Sequence, residues 1–372
     1  MNIEIKEVKT RSDLEKFIRA PWKLHENHPL WAPPLLMDEW TFFSPTKNKN
    51  FSHSDTLLLL AYVEGRIVGR IMGIINNNYN REAGEKTARF GYFESIDDVE
   101  VAKVLLGRIE DWAKKLGMKK IVGPMGFTDQ DPEGFIVEGF EGEPTLATYY
   151  NQEYIPRLLE KLGYKKEVDY FSYQIDCTKP YPTLYDKVIE RSKRYGYRLI
   201  EPKSTKELKP MIVPILSLMN DTFAPHIYGY VRLDEKEMKE LANRYLPVLD
   251  PRFIKVVMKG DEYVGFIIAI PNMDPGFRKA NGRLLPFGLM YLMNSAKKSK
   301  QLDLLLGGIK DSERGKGVDA IMGKAMHDTA RRVGMTVIDS HVELESNVRV
   351  RAEMVRAGGK VFRKYRIFQK SL

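Results

Sequence analysis

"LLLLAYVEGRIVGRIMGIINN" (Leu57 to Asn77) and "FIKVVMKGDEYVGFIIAIPN" (Phe253 to Asn272) share one form: an apolar run, a two-residue turn, a second apolar run. The turns are Glu64-Gly65 and Gly260-Asp261, and Val68-Gly69 in the first stretch answers to Val264-Gly265 in the second. Residues suited to strands on both sides of so short a turn predict an antiparallel hairpin in each place.

The doubling continues outward. "DDVEVAKVLLGRIEDWAKKLGMKKIVGPM" (Asp97 to Met125) has apolar residues at helical spacing, a stop at Gly117 and then a short strand; "KGVDAIMGKAMHDTARRVGMTVIDSHV" (Lys316 to Val342) repeats it with the stop at Gly334. "NQEYIPRLLEKLGYKKEVDYFSYQI" (Asn151 to Ile175) and "NVRVRAEMVRAGGKVFRKYRIF" (Asn347 to Phe368) each predict a helix ended by glycine, then an aromatic-rich strand. A period of half the chain means two copies of one α/β domain rather than a short-repeat solenoid. The boundary expected is at "CTKPYPTLYD", where Pro180 and Pro182 interrupt regular structure, giving domains at 1–178 and 179–372.

Composition narrows the class. The 372 residues are enough for two buried cores, and 43% hydrophobic with 29% charged residues is the balance of a globular protein. A single cysteine, Cys177, excludes an internal disulfide and a cysteine-rich zinc site, and the six histidines lack the spacing that sets two on one helical face, so no metal is expected. No run approaches the roughly 20 apolar residues of a membrane span, and the N-terminus lacks a signal-peptide core; a cytoplasmic setting is expected. The net charge of +9 is spread among acids, without a basic stripe or an RNA-binding motif, so nucleic acid is not the expected partner.

The order hairpin, strand, helix, strand, helix, strand, found twice, resembles the GNAT superfamily of N-acetyltransferases over nearly the whole chain. In that pattern an R/Q-x-x-G-x-G/A loop joins the fourth strand to the third helix, and "RGKGVD" (Arg314 to Asp319) stands there; the later Asn-to-Gly helix matches Asn347 to Gly358. The resemblance implies two GNAT-like domains, each a mixed, mostly antiparallel sheet flanked by helices with splayed middle strands. It implies acetyl-CoA or another acyl-CoA, its pyrophosphate held by Arg314, Gly315, Lys316, Gly317 and Val318, with Asn347, which opens the later helix, a further cofactor-binding residue. Bare amides at a helix start and glycines that allow close approach suit such an anion. Two departures stand out: Asp319 where the family has Gly or Ala, and a first-half corner, "FESIDDVEVAK", with acids and no glycine.

For the chemistry, the resemblance places a proton-donating Tyr four residues before the last helix's terminal Gly, where this chain has Met354 and Leu159. Tyr154, three residues after Asn151, is the nearest substitute. His341 and Glu343, alternating at the end of the second copy's fifth strand, are the candidate base pair. The irregular segment Gly123 to Tyr150 is long enough for a substrate wall, and its acids suit a cationic acceptor, a small-molecule amine or a peptide. The stretch Pro21 to Trp40 either closes the same groove or packs on the sheet. The function expected is acyl-CoA-dependent N-acyl transfer. The alternatives are a ligand-binding protein that kept the fold without the chemistry, and an aminoacyl transferase of tandem GNAT type.

Overall fold

The computed structural model describes every residue except 1, 146–147, 224–227, 229, 231 and 247–248. Packing groups the chain into two compact units, interleaved in sequence: unit 1 is Met1–Tyr170, Met273–Ser295 and Arg363–Leu372, and unit 2 is Phe171–Asn272 and Ala296–Phe362.

Unit 1 contains β1 (Glu4–Glu7), α1 (Arg11–Leu24), α2 (Leu36–Phe42), β2 (Ser54–Val63), β3 (Arg66–Asn76) and α3 (Asn77–Ala83). It continues with β4 (Thr87–Ser95), α4 (Val99–Lys115), β5 (Lys120–Gly123), β6 (Phe135–Glu138), α5 (Tyr154–Lys161) and the first half of β7 (Lys165–Asp176). Unit 2 takes the rest of β7, then α6 (Leu184–Ser192), β8 (Tyr197–Ile200), α7 (Thr205–Phe223), α8 (Glu235–Tyr245), β9 (Ile254–Lys259) and β10 (Glu262–Pro271). The chain returns to unit 1 for α9 (Asp274–Ala280) and most of α10 (Gly288–Lys298), and to unit 2 for β11 (Gln301–Ile309), α11 (Val318–Arg332), β12 (Val337–Ser340), β13 (Glu343–Leu344) and α12 (Val348–Arg356). From Arg363 on, β14 (Lys360–Ser371) lies in unit 1.

Each unit is built on a mixed, mostly antiparallel sheet. In unit 1 the order is β1-β2-β3-β4-β5-β14, parallel only at β4–β5. In unit 2 it is β8-β9-β10-β11-β12-β7, parallel only at β11–β12. The β2–β3 turn places both Glu64 and Gly65 at positive φ, the mirror-image turn whose twist matches a hairpin.

The matched glycines of the two hairpins have matched tasks. On α4, Val101, Leu105, Ile109 and Ala113 recur every fourth residue and are buried. Leu105 sits over Gly69, where an added Cβ would lie 2.8 Å from its Cδ1. In unit 2, Val318 and Met322 of α11 cover Gly265 in the same way. A helix can seat this closely only where the strand carries no side chain.

Strand β4 departs from regularity at one point. The β3–β4 register shifts between Arg70 and Met72, and opposite the shift Tyr92 has φ +51°. Below this bulge β4 runs parallel to β5, Thr87 beside Lys120 and Arg89 beside Val122. At its edge the chains touch: a Cβ on Gly123 would stand 2.2 Å from the Phe90 carbonyl oxygen, and one on Gly91 2.5 Å from that of Met125. Past it they part, and the Tyr92 amide donates to the Tyr149 hydroxyl at 3.1 Å instead of to a strand.

Gly91→Ala should therefore lower stability by about 1–3 kcal/mol through overpacking. Gly107→Ala, on α4 with nothing within 4 Å of the added carbon, should raise it by about 1 kcal/mol. Thermal melts of the two variants against the parent check both signs.

Candidate active site

Where β4 and β5 part, unit 1 encloses a cavity of about 250 Å³. Five separate stretches build its wall, Arg70 of β3 being one. Tyr92 to Ser95 come from the end of β4; His25, Trp31 and Glu39 from α1, α2 and the turn between; Phe135, Tyr149 and Tyr150 from the long segment; Asp274 and Phe277 from α9.

Local chemistry explains why these stretches hold their shape. In the long segment, the Asp131 carboxylate accepts the amides of Phe127 and Thr128 at 2.7 and 3.2 Å, closing a turn. Asn151 imitates a strand, accepting the Ile136 amide at 2.7 Å and donating to its carbonyl at 3.3 Å. The fully buried Arg363 donates to the carbonyls of Gly139 and Glu141 at 2.6 and 2.8 Å. Arg278 grips the Glu143 carboxylate with two nitrogens, at 2.9 and 2.8 Å. The N-terminal stretch is tied to the chain around Gly282: Trp22 Nε1 donates to Asn281 Oδ1 at 2.6 Å, and the Leu36 amide to the Gly282 carbonyl at 2.9 Å.

One part of this wall is charged. Arg70 Nε donates to Glu94 Oε2 at 3.0 Å and Arg70 Nη1 to the Phe17 carbonyl at 2.9 Å. His25 Nε2 lies 3.4 Å from Glu94 Oε1, and its Nδ1 is 3.0 Å from Nδ1 of His28. The His25 ring stacks on Trp31 with centroids 4.7 Å apart. Burial opposes ionisation of Glu94, but Arg70 and then His25 overcome it and hold the carboxyl below its usual range. Glu39 goes the other way: burial pushes it up to about 7, with Arg70 only partly opposing, and its Oε2 is buried without a hydrogen-bond partner. Burial, then His25, lowers His28 to about 4, so that ring is neutral at physiological pH.

Tyr149 adds a donor. Its hydroxyl accepts the Tyr92 amide and donates to none of the described residues, so its proton is available to a cavity ligand. Burial raises its pKa strongly, which keeps the hydroxyl protonated.

The residues expected from sequence fall in several places. Tyr154 is the first residue of α5 in unit 1; its hydroxyl donates to the carbonyl of Ser95, a cavity residue, at 2.8 Å, and burial followed by Asp97 raises it to about 12. His341 and Glu343 belong to unit 2. Continuous alternation does not hold between them, because the chain leaves the strand at 341–342, where Ser340 Oγ bonds the Tyr173 amide and the His341 carbonyl. Burial raises Glu343 to about 8. Asn347 is the N-cap of α12, without a side-chain capping bond. Leu146 and Ala147 of the long segment lie outside the described residues.

In the Arg314 corner of unit 2 the cations pair with the protein's own carboxylates. Arg314 pairs with Asp311 at 3.0 Å, and Lys316 with the buried Glu313 at 3.2 Å. Glu313 is held down to about 2, first by the Tyr197 hydroxyl and then by Lys259 and Lys316. Residues Ser192 and Val188 of α6 cover Gly317, each 3.1 Å from where its Cβ would be. Asp319 lies in the first turn of α11, where burial and then Glu353 raise its pKa. Over 310–319 three cations meet three carboxylates. As folded, the two cations foreseen for phosphate, Arg314 and Lys316, are paired with the protein's own carboxylates, Asp311 and Glu313. In unit 1, the Asp98 side chain likewise takes the amides of Glu100 and Val101.

Arg70, Glu94, Glu39, His25 and Tyr149 escape a sequence reading directed at the corners. The available signal was an arginine inside an otherwise apolar strand, "RIVGRIMGII", since a buried cation requires a partner.

No protein-family model matches the sequence. The chain is similar to a bacterial ceramide synthase of Caulobacter vibrioides, 28% identical over 374 residues covering 98% of this chain and 96% of that protein. It is also similar to protein YghO of Escherichia coli, 26% identical with 97% and 94% covered. Among solved structures, a tandem GNAT protein from the clavulanic acid biosynthesis pathway aligns over 100% of this chain and 98% of its own, at TM-score 0.55 and 12% identity. A GCN5-related N-acetyltransferase from Sphaerobacter thermophilus aligns over 99% and 95%, at TM-score 0.53 and 11% identity. These structures establish the fold.

Arg70→Met should cost about 3–5 kcal/mol at neutral pH by leaving Glu94 buried with His25 as its remaining partner. Because the folded pKa of Glu94 is depressed, the pair stabilises above the ordinary carboxylate range and is lost as pH falls through the folded value. The difference in melting temperature between variant and parent should therefore shrink on acidification. If the Arg314 corner takes coenzyme A by displacing its carboxylates, Asp311→Asn with Asp319→Asn should tighten coenzyme A binding about tenfold in calorimetric titration. Unchanged affinity excludes the corner.

Proposed function

Taking as premise that this chain has the tandem GNAT acyltransferase fold, we propose that it is an N-acyltransferase, moving an acyl group from a thioester to an amine within the unit 1 cavity. The observation that carries the reading is the division of labour between two carboxyl groups on one wall. Glu94 stays ionised and suits the ammonium form of an acceptor, while Glu39, near pH 7, is tuned to take up and give back a proton.

The step balances on these groups. The bound ammonium first gives one proton to solvent; the free amine nitrogen then attacks the thioester carbon, a C–N bond forms and the C–S bond breaks. The proton lost by nitrogen passes to Glu39, whose acid form, at about 7, is acidic enough to protonate a departing thiolate with the ordinary thiol pKa of about 8.5. Tyr149, its oxygen already accepting the Tyr92 amide, donates to the carbonyl oxygen as charge develops there. Tyr154, at about 12, is a weaker acid than the thiol being formed, which suits it to holding the end of β4 through Ser95 rather than to proton transfer. This reading gives His341 and Glu343 no part.

Support for the acceptor class comes from the relative named as a ceramide synthase, a ceramide being the amide of a long-chain amino alcohol. Trp31, Phe135, Ile155 and Phe277 give the cavity apolar walls for such a chain beside its carboxylates. Acyl-CoA, the general donor for this fold, is the thioester to try first. A ligand-binding protein without catalysis is the second reading, favoured by the neutral Arg314 corner.

Assay of thiol release from acyl-CoAs of graded length, with amines that include a long-chain 2-amino alcohol, tests the proposal. Amide product and free thiol in equal amounts are expected; ligand-induced stabilisation with no thiol release supports the second reading. Glu39→Gln should lower kcat about 100-fold or more, and Tyr149→Phe by a similar factor. In the parent, kcat/KM should rise with pH and level off above about 7, as Glu39 loses its proton. Glu39→Gln should also fold at least as well above pH 7. With its folded pKa raised from 4.5, Glu39 makes the parent lose stability as pH rises between those values, and the amide removes that cost.

A further inference from the structure

Helix α10 is amphipathic in the reverse sense for a surface helix. Its inward side, Gly288 and Leu292, is buried, and Leu292 packs so closely on α9 that a Cβ on Gly276 would lie 2.8 Å from its Cα. Its outward side carries Leu289, Met290 and Met293, at the i, i+1, i+4 spacing of one face, and the preceding turn adds Leu285 and Phe287. Leu285 is 80% exposed, Phe287 58% and Met293 53%. Single exposed apolar side chains are ordinary, but five large ones within nine residues form a patch that needs a cover.

The rim of this patch is cationic. Lys279 and Arg283 are exposed on its N-terminal side, and Lys297 and Lys298 fill the last turn of the helix itself. None of the four forms an ion pair among the described residues. From Lys279 to Lys298 there is no Asp or Glu. An apolar face edged by unopposed cations is complementary to the headgroup and acyl boundary of an anionic lipid leaflet.

The same segment also forms part of the cavity. Just before α10, α9 contributes Asp274 and Phe277 to the cavity wall, and Gly282 between the two helices is clasped by Trp22, Pro34 and Leu36 of the N-terminal stretch. The exposed apolar patch is thus one short turn from the cavity wall.

We propose that α10 and the turn before it dock the protein on an anionic membrane surface, where the cavity takes its long-chain amine directly from the leaflet. Lipid delivery rests on the acyltransferase reading above, whereas docking stands on the patch alone. The helix lies in the interface and does not cross it, consistent with no helix among the described residues being long and apolar enough to span a bilayer.

Flotation of the full chain with vesicles of phosphatidylcholine alone, and of phosphatidylcholine mixed with phosphatidylglycerol, tests the docking. Binding is expected to the mixed vesicles and to weaken with salt. Phe287→Ser with Leu289→Ser and Met293→Ser, all exposed and so harmless to the fold, should weaken it about 100-fold. Arg283→Gln, Lys297→Gln and Lys298→Gln should weaken it about fivefold each and remove most of the salt dependence. Equal recovery with and without vesicles, or a triple serine variant that floats like the parent, overturns the proposal. So does analytical ultracentrifugation showing a dimer that only the serine variant dissociates, with no flotation, since a second copy then covers the face. Flotation needs no turnover: a chain that floats yet releases no thiol retains the docking and loses the acyltransferase reading.

Discussion

The left-handed turn of the backbone at Tyr92 is the constraint on which the site depends. A non-glycine residue there costs roughly 1–2 kcal/mol, and three things follow from it. The register of β4 on β3 shifts, which sets Glu94 opposite Arg70; β4 and β5 part, which opens the cavity; and the Tyr92 amide, denied a strand partner, turns to the Tyr149 hydroxyl. The cost is met by packing: the Tyr92 ring lies about 5 Å from those of Phe42 and Phe43, with the Arg70 guanidinium 5.9 Å from its centroid. Strain held by dense surroundings at the point where two strands separate is a common property of functional sites.

The electrostatics of the wall follow from unequal solvation of similar groups. Arg70 is common to Glu94 and Glu39, but it makes hydrogen bonds to the first and acts on the second only across space. One carboxyl is therefore ionised and fixed, and the other is poised near neutrality. His28 is kept neutral beside His25 and so adds no positive charge to this cluster.

The fold was legible because its signals are local. Turn pairs such as Glu64-Gly65, the four-residue spacing from Val101 to Ala113 and the matching glycines at 69 and 265 each lie within one stretch of chain, and each meets its expected structure. The site was less legible because its members come from five stretches that only tertiary packing assembles. The long segment and the Pro21 to Trp40 stretch were visible as candidates for a substrate wall, and both line the cavity, but their working residues could not be singled out by pattern. The Arg314 corner shows the opposite difficulty. Its cations are plain in sequence, whereas their pairing with Asp311 and Glu313 depends on a turn that brings residues three apart together. The Asp at 319 was a visible sign that this corner differs from the usual phosphate loop.

Arg363 and the carbonyls it organises lie about 220 positions apart in the chain. During synthesis the segment 139–143 therefore emerges long before the guanidinium that satisfies it. Until then those carbonyls can only bind water or a chaperone, and the wall they support stays loose. The order in which these residues are made thus sets the order in which this part of the wall can be fixed: the segment 139–143 waits for residue 363.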